Sequence, residues 1–235
     1  MLDEFIRMYE IREPFLDIGC GKGDVALHLA RKGWHGDAID TTIQAVEVTK
    51  QLLQTYPQVN VAQKSIEEYR GVNINLVLLL DVLEHIDDDM AILKAIANVQ
   101  LPGAYLVITV PSNPDKEWRW DDELYGHLRR YSPNEIKQLL GSCEYRVIEI
   151  WDITYPIFWL LRRLYTSIKR PPRINESALE RTYLSPFTNA WELGWISNVL
   201  SKPTFWGPVF KIQKKYRNRL ENGHEMMVIA RRNDS

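Results

Sequence analysis

The stretch FLDIGCGKGDVALHLA, Phe15 to Ala30, decides how this chain is read. A short apolar run, three glycines at alternate positions and an amphipathic helical pattern follow one another without a break. A strand that ends in a glycine turn and opens a helix presents unpaired backbone N–H groups and the positive end of a helix dipole, so an anionic ligand group belongs there. A dinucleotide fingerprint would place glycines at the first, third and sixth positions. Here they fall at the first, third and fifth, Gly19, Gly21 and Gly23, and Asp24 holds the sixth. An aspartate there would oppose a pyrophosphate but suits a ligand that also carries an ammonium or sulfonium charge.

Outward from this stretch, short apolar runs alternate with helical patterns, the mark of a parallel sheet flanked by helices. The runs lie at 14–19, 35–40, 59–64, 74–80 and 104–110, with helices over roughly 22–32, 42–55 and 88–98. Asp87 is expected to cap the last of these helices, and Pro102 with Gly103 to form the turn into the fifth run. Ser132 and Pro133 open a further helix over 133–140; 145–152 reads as a sixth strand and 224–232 as a seventh. The fold class is therefore α/β, a Rossmann-like, mainly parallel seven-stranded sheet with an antiparallel last strand. Residues 1–150 form the nucleotide-binding core, 151–223 a helical aromatic and basic cap inserted between strands six and seven, and 224–235 the closing strand and tail.

At 235 residues the chain suits one generous domain with an insertion. Cys20 and Cys143 match no disulfide or metal spacing, so no metal site and a reducing, cytoplasmic setting are expected. No signal peptide is read at Met1, where Asp3 and Glu4 precede any basic residue. The net charge of -2 hides an asymmetry: residues 1–150 balance at -9 and 151–222 at +7. The basic block also holds thirteen of the 25 aromatic residues, which calls for its own explanation.

LDIGCGKG, GDAID, LLLDVLEHI and LPGAYLVITVPS, in that order, resemble the motifs of the class I S-adenosylmethionine-dependent methyltransferases. GHLRRYSPNEIKQLL further resembles the branch containing ubiquinone-biosynthesis O-methyltransferases. The likeness spans about residues 12–150 and the closing strand. It implies S-adenosyl-L-methionine as cofactor, its methionine part on Gly19, Gly21 and Gly23 with Asp17 facing the ammonium. Asp40, at the end of the second strand, is also placed by position to accept ribose hydroxyls. The resemblance puts Leu80, Asp81 and Val82 beside the methionyl chain and sulfonium, and Ser65 with Ile66 at the adenine, where relatives often carry an aspartate.

Methyl transfer to a hydroxyl needs a base, and His127, in the loop after the fifth strand, is the first candidate, with His85 second. Cys20 reads as packing. Asp121, Asp122 and Glu123 read as a solvated acidic loop, and Arg129 with Arg130 as a solvated face. In the insertion, Ile157, Leu161, Leu164 and Ile168 recur at helical spacing with Arg162 and Arg163 off the stripe, and Phe187, Trp191, Trp195 and Val199 form a second stripe. Two readings stay open: core packing of a cap, or a surface over 155–219 that meets a membrane or lipid-linked acceptor. With only thirteen residues ahead of the first strand, the insertion is the material expected to close the site. Nucleic acid is disfavoured as partner, because the basic residues are interleaved with bulky apolar ones. The acceptor expected is a small molecule, lipid- or isoprenoid-linked, methylated at oxygen. A non-catalytic cofactor-binding sensor or scaffold is the rival, and the sequence sets no oligomeric state.

Overall fold

In the computed structural model, which describes residues 1–169 and 203–234 and, in the second span, side chains from 207 onward, the apolar runs become seven strands. These are β1 (Phe15–Ile18), β2 (Gly36–Asp40), β3 (Val59–Gln63), β4 (Ile74–Leu80), β5 (Gln100–Pro111), β6 (Tyr145–Asp152) and β7 (Glu225–Arg232). They make one sheet in the order β3-β2-β1-β4-β5-β7-β6. The pairs among β1 to β5 are parallel, and β7 runs antiparallel to both β5 and β6. The expected closing strand is thus in place, slotted between the fifth and sixth.

Helix α1 (Leu2–Met8) precedes the sheet, and α2 (Asp24–Ala30), α3 (Ile43–Leu52) and α4 (Asp89–Val99) connect its parallel strands. Alternate residues of β4 serve opposite faces, as the two-residue period of a strand requires. Val77 and Leu79 join a layer with Ile92, Leu93 and Ile96 of α4, whereas Leu76 and Leu78 join the other layer with Ala26, Leu27 and Leu29 of α2. Each such leucine is fully buried and stabilises by roughly 1.5–3 kcal/mol. Helix α1 adds Phe5 to the α2 layer, where its ring meets Tyr105 edge-on at 5.5 Å.

Three expectations shift. The turn at Pro102 and Gly103 is a bulge inside β5: Gln100 pairs with Ile74 and Tyr105 with Leu76, so the intervening β5 residues loop out, and Gly103 takes a φ of +76°. Asp88, not Asp87, caps α4, its side chain accepting the Ala91 amide at 2.9 Å, a contact worth about 1 kcal/mol.

The third shift concerns the cap. After β5 come α5 (Pro114–Glu117), α6 (Trp120–Tyr125) and α7 (Pro133–Gly141, with Ser132 in a capping box with Glu135); α8 (Ile157–Ile168) follows β6. Of the two readings of its stripe, helix α8 goes against core packing: Leu161, Leu164 and Ile168 are exposed, while Arg162 and Thr166 are buried. The cause lies beneath it. Helices α5 and α6 present the buried carboxylates of Glu117, Asp121 and Asp122, and desolvated carboxylates demand a cation. Arg162 supplies it, bonding both oxygens of Asp121 at 2.7 Å and Asp122 at 2.9 Å. The Trp120 indole N–H donates to the Thr166 carbonyl at 2.9 Å and closes the same contact. The expected second stripe at 187–200 lies outside the described residues. A further helix, Pro203–Tyr216, leads back to β7.

Candidate active site

The sheet reverses its winding between β1 and β4, and ligands of open α/β sheets bind at the carboxyl ends of the strands flanking such a switch. A cavity of about 380 Å³ lies there. One wall is Asp17 and the loop Gly19 to Lys22, continued by Asp24 and Val25 of α2; the other is Leu80, Asp81, His85 and Tyr125.

The loop's shape depends on its glycines. Gly19 and Gly23 hold φ of +68° and +78°, a region that costs other residues about 1–2 kcal/mol. A Cβ on Gly19 would lie 2.5 Å from Val82 Cγ2, and one on Gly23 2.7 Å from Thr49 Cγ2. Thr49 Oγ1 also donates to the Gly21 carbonyl at 3.0 Å, so α3 clasps the loop from outside. Asp40 does the same with its carboxylate: Oδ2 accepts the Gly21 amide at 3.0 Å and Oδ1 the Thr42 amide at 2.8 Å. A carboxylate oxygen has two acceptor sites, so each retains one for ligand hydroxyls.

Asp17 fits a cationic ligand group. It is 3% exposed and accepts the Ala26 amide; burial, reinforced by the charge of Asp40, pushes its carboxyl up to about 7. A positive charge at the cavity wall would offset that desolvation. Cys20, by contrast, is chemically quiet. Burial holds its thiol up at about 12 and its sulfur sits 3.8 Å from Thr49 Oγ1, far from the thiolate a nucleophile requires.

Of the residues singled out in the sequence, Asp17, Gly19, Gly21, Leu80, Asp81 and His85 line the cavity. Gly23 and Val82 shape the loop from behind. Asp40 braces it, Ile66 is buried in the core with Ser65 before it, and His127 stands outside the lining. Between the two histidines, therefore, it is His85 that reaches the cavity. Asp24, read as suiting a cationic ligand, also lines it, and Lys22, Val25 and Tyr125 are lining residues that sequence reasoning left out.

Asp81 ends β4 with a φ of +54°, a strained setting for a side chain with a Cβ. Thr109 holds it there, its hydroxyl donating to Asp81 Oδ1 at 2.7 Å and its carbonyl accepting the Asp81 amide at 3.1 Å. Asp81 also bonds the Glu225 carboxyl of β7. Burial raises both acids, and Glu225, further raised by Asp81, lies well above the ordinary range, so the pair shares a proton.

Behind Asp81 a second cluster forms. The backbone turn Leu83–His85 brings Glu84 and His85 against the loop that carries His127, and the two imidazoles meet edge-on at 5.1 Å. His85 Nδ1 lies 3.2 Å from the Gly126 carbonyl, and His127 Nδ1 2.9 Å from Asp122 Oδ1. A carbonyl and an ionised carboxylate only accept, so both Nδ1 atoms carry hydrogens and both Nε2 atoms present lone pairs in the neutral rings. Those Nε2 atoms stand 4.0 and 3.9 Å from the same oxygen, Glu84 Oε1. Glu84 is 1% exposed; burial and then Asp81 raise its carboxyl well above the ordinary range. Burial, aided by His127, pushes His85 down to about 4, so it is neutral near pH 7. The three donor atoms lie within 4.8 Å of one another, a donor set that also suits a small divalent ion, although no metal spacing was visible in the sequence.

The stretch read as a solvated acidic loop lies on α6, and only Glu123 of it is exposed. Asp121 and Asp122 are 7% and 0% exposed and Arg130 is 6% exposed. Arg130 bonds Asp122 Oδ1 at 2.7 Å and the carbonyls of Ser112 and His224. Arg129 does lie near the surface, paired with Asp89 at 3.0 Å.

Comparison with known proteins bears on this geometry. The methyltransferase-domain model matches residues 9–150. The ubiquinone biosynthesis O-methyltransferase of Escherichia coli O9:H4 (strain HS) is 24% identical over 186 residues, 76% of this chain and 69% of that protein. Its counterpart in Escherichia coli (strain SMS-3-5 / SECEC) is 28% identical over the same shares. Among solved structures, phosphoethanolamine N-methyltransferase 2 of Haemonchus contortus superposes with a TM-score of 0.63 at 17% identity, over 99% of this chain and 52% of that one. The 1,6-didemethyltoxoflavin-N1-methyltransferase of Burkholderia thailandensis does so at 0.58 and 14%, over 99% and 76%. At such identities the likeness is one of fold.

Proposed function

This chain belongs to the methyltransferase-domain family, within the class I enzymes that use S-adenosyl-L-methionine, and on that premise we propose that it methylates a hydroxyl of a lipid- or isoprenoid-linked small molecule. The observation that carries the proposal is the convergence of the glycine loop, the buried Asp17 and the His85–Asp81 wall on one cavity. The cofactor supplies a methyl group already activated by its sulfonium charge.

The remaining work falls to this chain's residues. Asp17 receives the ammonium and Asp40 the ribose hydroxyls, while Ser65 and Ile66 border the adenine. Gly19 and Gly21 let the backbone approach the methionyl chain, with Leu80 and Asp81 opposite. His85, neutral and with its Nδ1 hydrogen engaged by Gly126, takes the acceptor's proton on Nε2. The reacting end of the acceptor is neutral or cationic, since Asp17, Asp24 and Asp81 outnumber Lys22 along the cavity. The relatives' names, which specify O-methylation in ubiquinone biosynthesis, support an oxygen acceptor.

Peripheral membrane contact belongs to the same proposal. No helix among the described residues is long and apolar enough to cross a membrane. Leu160, Leu161, Leu164 and Ile168 of α8 are exposed, as are Phe210 and Ile212 of the helix Pro203–Tyr216. Lys169, Lys211, Lys214 and Lys215 lie beside them and favour an anionic lipid surface.

Calorimetry with S-adenosylmethionine and with NAD tests the cofactor site; binding of NAD alone, or of neither, refutes it. Methyl transfer from labelled cofactor is then measured across a panel of hydroxyl acceptors with and without polyprenyl chains. The expected result is turnover that His85→Ala abolishes while cofactor affinity persists. Cofactor binding without transfer to any acceptor would instead support a sensor or scaffold. Co-sedimentation with liposomes should rise with anionic lipid content, and no such dependence would remove the membrane element.

A further inference from the structure

We propose that Asp122 is a positioning residue that locks His127 in the tautomer with Nδ1 protonated, directing its Nε2 at Glu84 and at the His85 that lines the cavity, and that ties this lock to the cap helix through Arg162. The inference rests on the active-site reading above. It starts from the bonding of one carboxylate. Asp122 Oδ1 accepts from His127 Nδ1 at 2.9 Å and from Arg130 Nη2 at 2.7 Å; Oδ2 accepts from the Arg119 amide at 2.7 Å and from Arg162 Nη2 at 2.9 Å. Two bonds on each oxygen use the full acceptor capacity of an ionised carboxylate. Two of these four donors are guanidinium groups, which only donate and keep the carboxylate ionised, so the His127 hydrogen in the shared bond resides on Nδ1.

The backbone fixes the other end of the ring. The His127 amide donates to the Asp122 carbonyl at 2.9 Å, and Gly126, at φ +78°, makes the reversal between them. Thus Asp122 holds His127 twice, by main chain and by side chain, and the imidazole cannot rotate without breaking a buried charge-assisted bond. On its far side the ring packs edge-on against His85. A flipped His127 would place an N–H, not a lone pair, toward Glu84.

Arg162 extends the lock to α8. Its fork grips Asp121 with two bonds and Asp122 with a third. Helix α8 is thereby fastened to the same carboxylate that orients His127. Docking of α8 and orientation of the histidine are one arrangement.

The test uses the full-length protein labelled with nitrogen-15 in its imidazoles, with His127 assigned by loss of its signals in His127→Asn. The expected wild-type pattern of the neutral ring, read at the high-pH end of a titration, is a protonated Nδ1 and unprotonated Nε2; the reverse pattern would overturn the inference. In Asp122→Asn, whose amide can donate to Nδ1, the neutral ring should switch toward Nε2–H. Arg162→Lys, which keeps the charge but loses the fork, should retain the wild-type tautomer. A purely structural Asp122 would leave the tautomer unchanged in both variants, and that result would refute the proposal. Should Asp122→Asn fail to fold, the wild-type pattern still decides, since a neutral ring protonated at Nε2 would overturn the inference. With a hydroxyl acceptor that turns over in the panel, Asp122→Asn should lower kcat by about 10²–10⁴-fold with KM and cofactor affinity little changed. Cofactor affinity measured on its own separates failure of this inference from failure of the methyltransferase assignment.

Discussion

With Asp17 proposed as the partner of the cofactor's ammonium, cofactor binding should depend on pH in a calculable way. Its acid constant rises from the reference 3.8 to about 7 because burial, and then Asp40, disfavours the charged form. Three units correspond to about 4 kcal/mol of stability that the folded chain holds below pH 4 and loses as the pH climbs through 7. A ligand ammonium beside Asp17 reverses the preference, since only the ionised carboxylate attracts it. Binding should therefore release a proton below pH 7. At pH 6 about one protein in eleven has Asp17 ionised, so affinity for S-adenosylmethionine should be about tenfold weaker than at pH 8, a difference of about 1.4 kcal/mol. Titration calorimetry at pH 6, 7 and 8, in two buffers of different ionisation enthalpy, reads both the affinity and the proton count. Asp17→Asn should bind weakly and with a flatter pH dependence. An affinity that is level from pH 6 to 8, or a wild-type slope that survives in Asp17→Asn, would refute the assignment of Asp17 to the ammonium.

Other outcomes follow from named contacts. Gly19→Ala forces a Cβ to within 2.5 Å of Val82 at positive φ; it should lower the melting temperature and abolish calorimetric cofactor binding, and retention of both would show that the loop tolerates a side chain. Asp40→Ala removes the acceptor of the Gly21 and Thr42 amides and should weaken cofactor binding at least tenfold by the same assay. Arg162→Met leaves Asp121 and Asp122 buried without their shared cation, a loss of about 3–5 kcal/mol in urea unfolding; an unchanged midpoint would mean that the carboxylates find water or another partner. Glu84→Gln removes an acid whose folded constant is raised by burial. Wild-type Glu84 therefore costs stability as the pH rises, and the variant should match or exceed wild type at pH 8 in a thermal melt, whereas a clear loss there would show that Glu84 was ionised and paired.

The parts of the fold that were legible in the sequence are those decided by local chemistry. The alternation of strand and helix, the glycine positions and the Ser132 N-cap each depend on residues within a turn or two of one another. The boundaries of β4 and β6 coincide with the runs read from apolar pattern alone, because both strands are flanked by residues that break their periodicity. The cap helix shows where such reasoning ends. Its periodicity specifies that one face is apolar, but not that the apolar face is the buried one. That choice was made by Glu117, Asp121 and Asp122, some forty residues earlier, whose need for a cation outweighed the burial of Leu161 and Leu164.

The histidine cluster was legible residue by residue but not as a cluster. His85 and His127 were each recognisable as bases, yet their order of importance depended on which one the chain turns toward the cavity. Glu84, next to one histidine in sequence, lies about 4 Å from both in space, because the turn after β4 and the loop after β5 leave the sheet side by side. Parallel neighbouring strands guarantee that adjacency. Charge reading failed here for a related reason: an acidic run and an arginine pair looked like solvated surface when counted separately, and became a buried network only when Asp122 met Arg130 and Arg162. A carboxylate that accepts four bonds, from the start of its own helix, from the loop after it and from α8, cannot be inferred from any one of them. It is for the same reason a precise device, since each segment that moves would cost the others a buried charge partner.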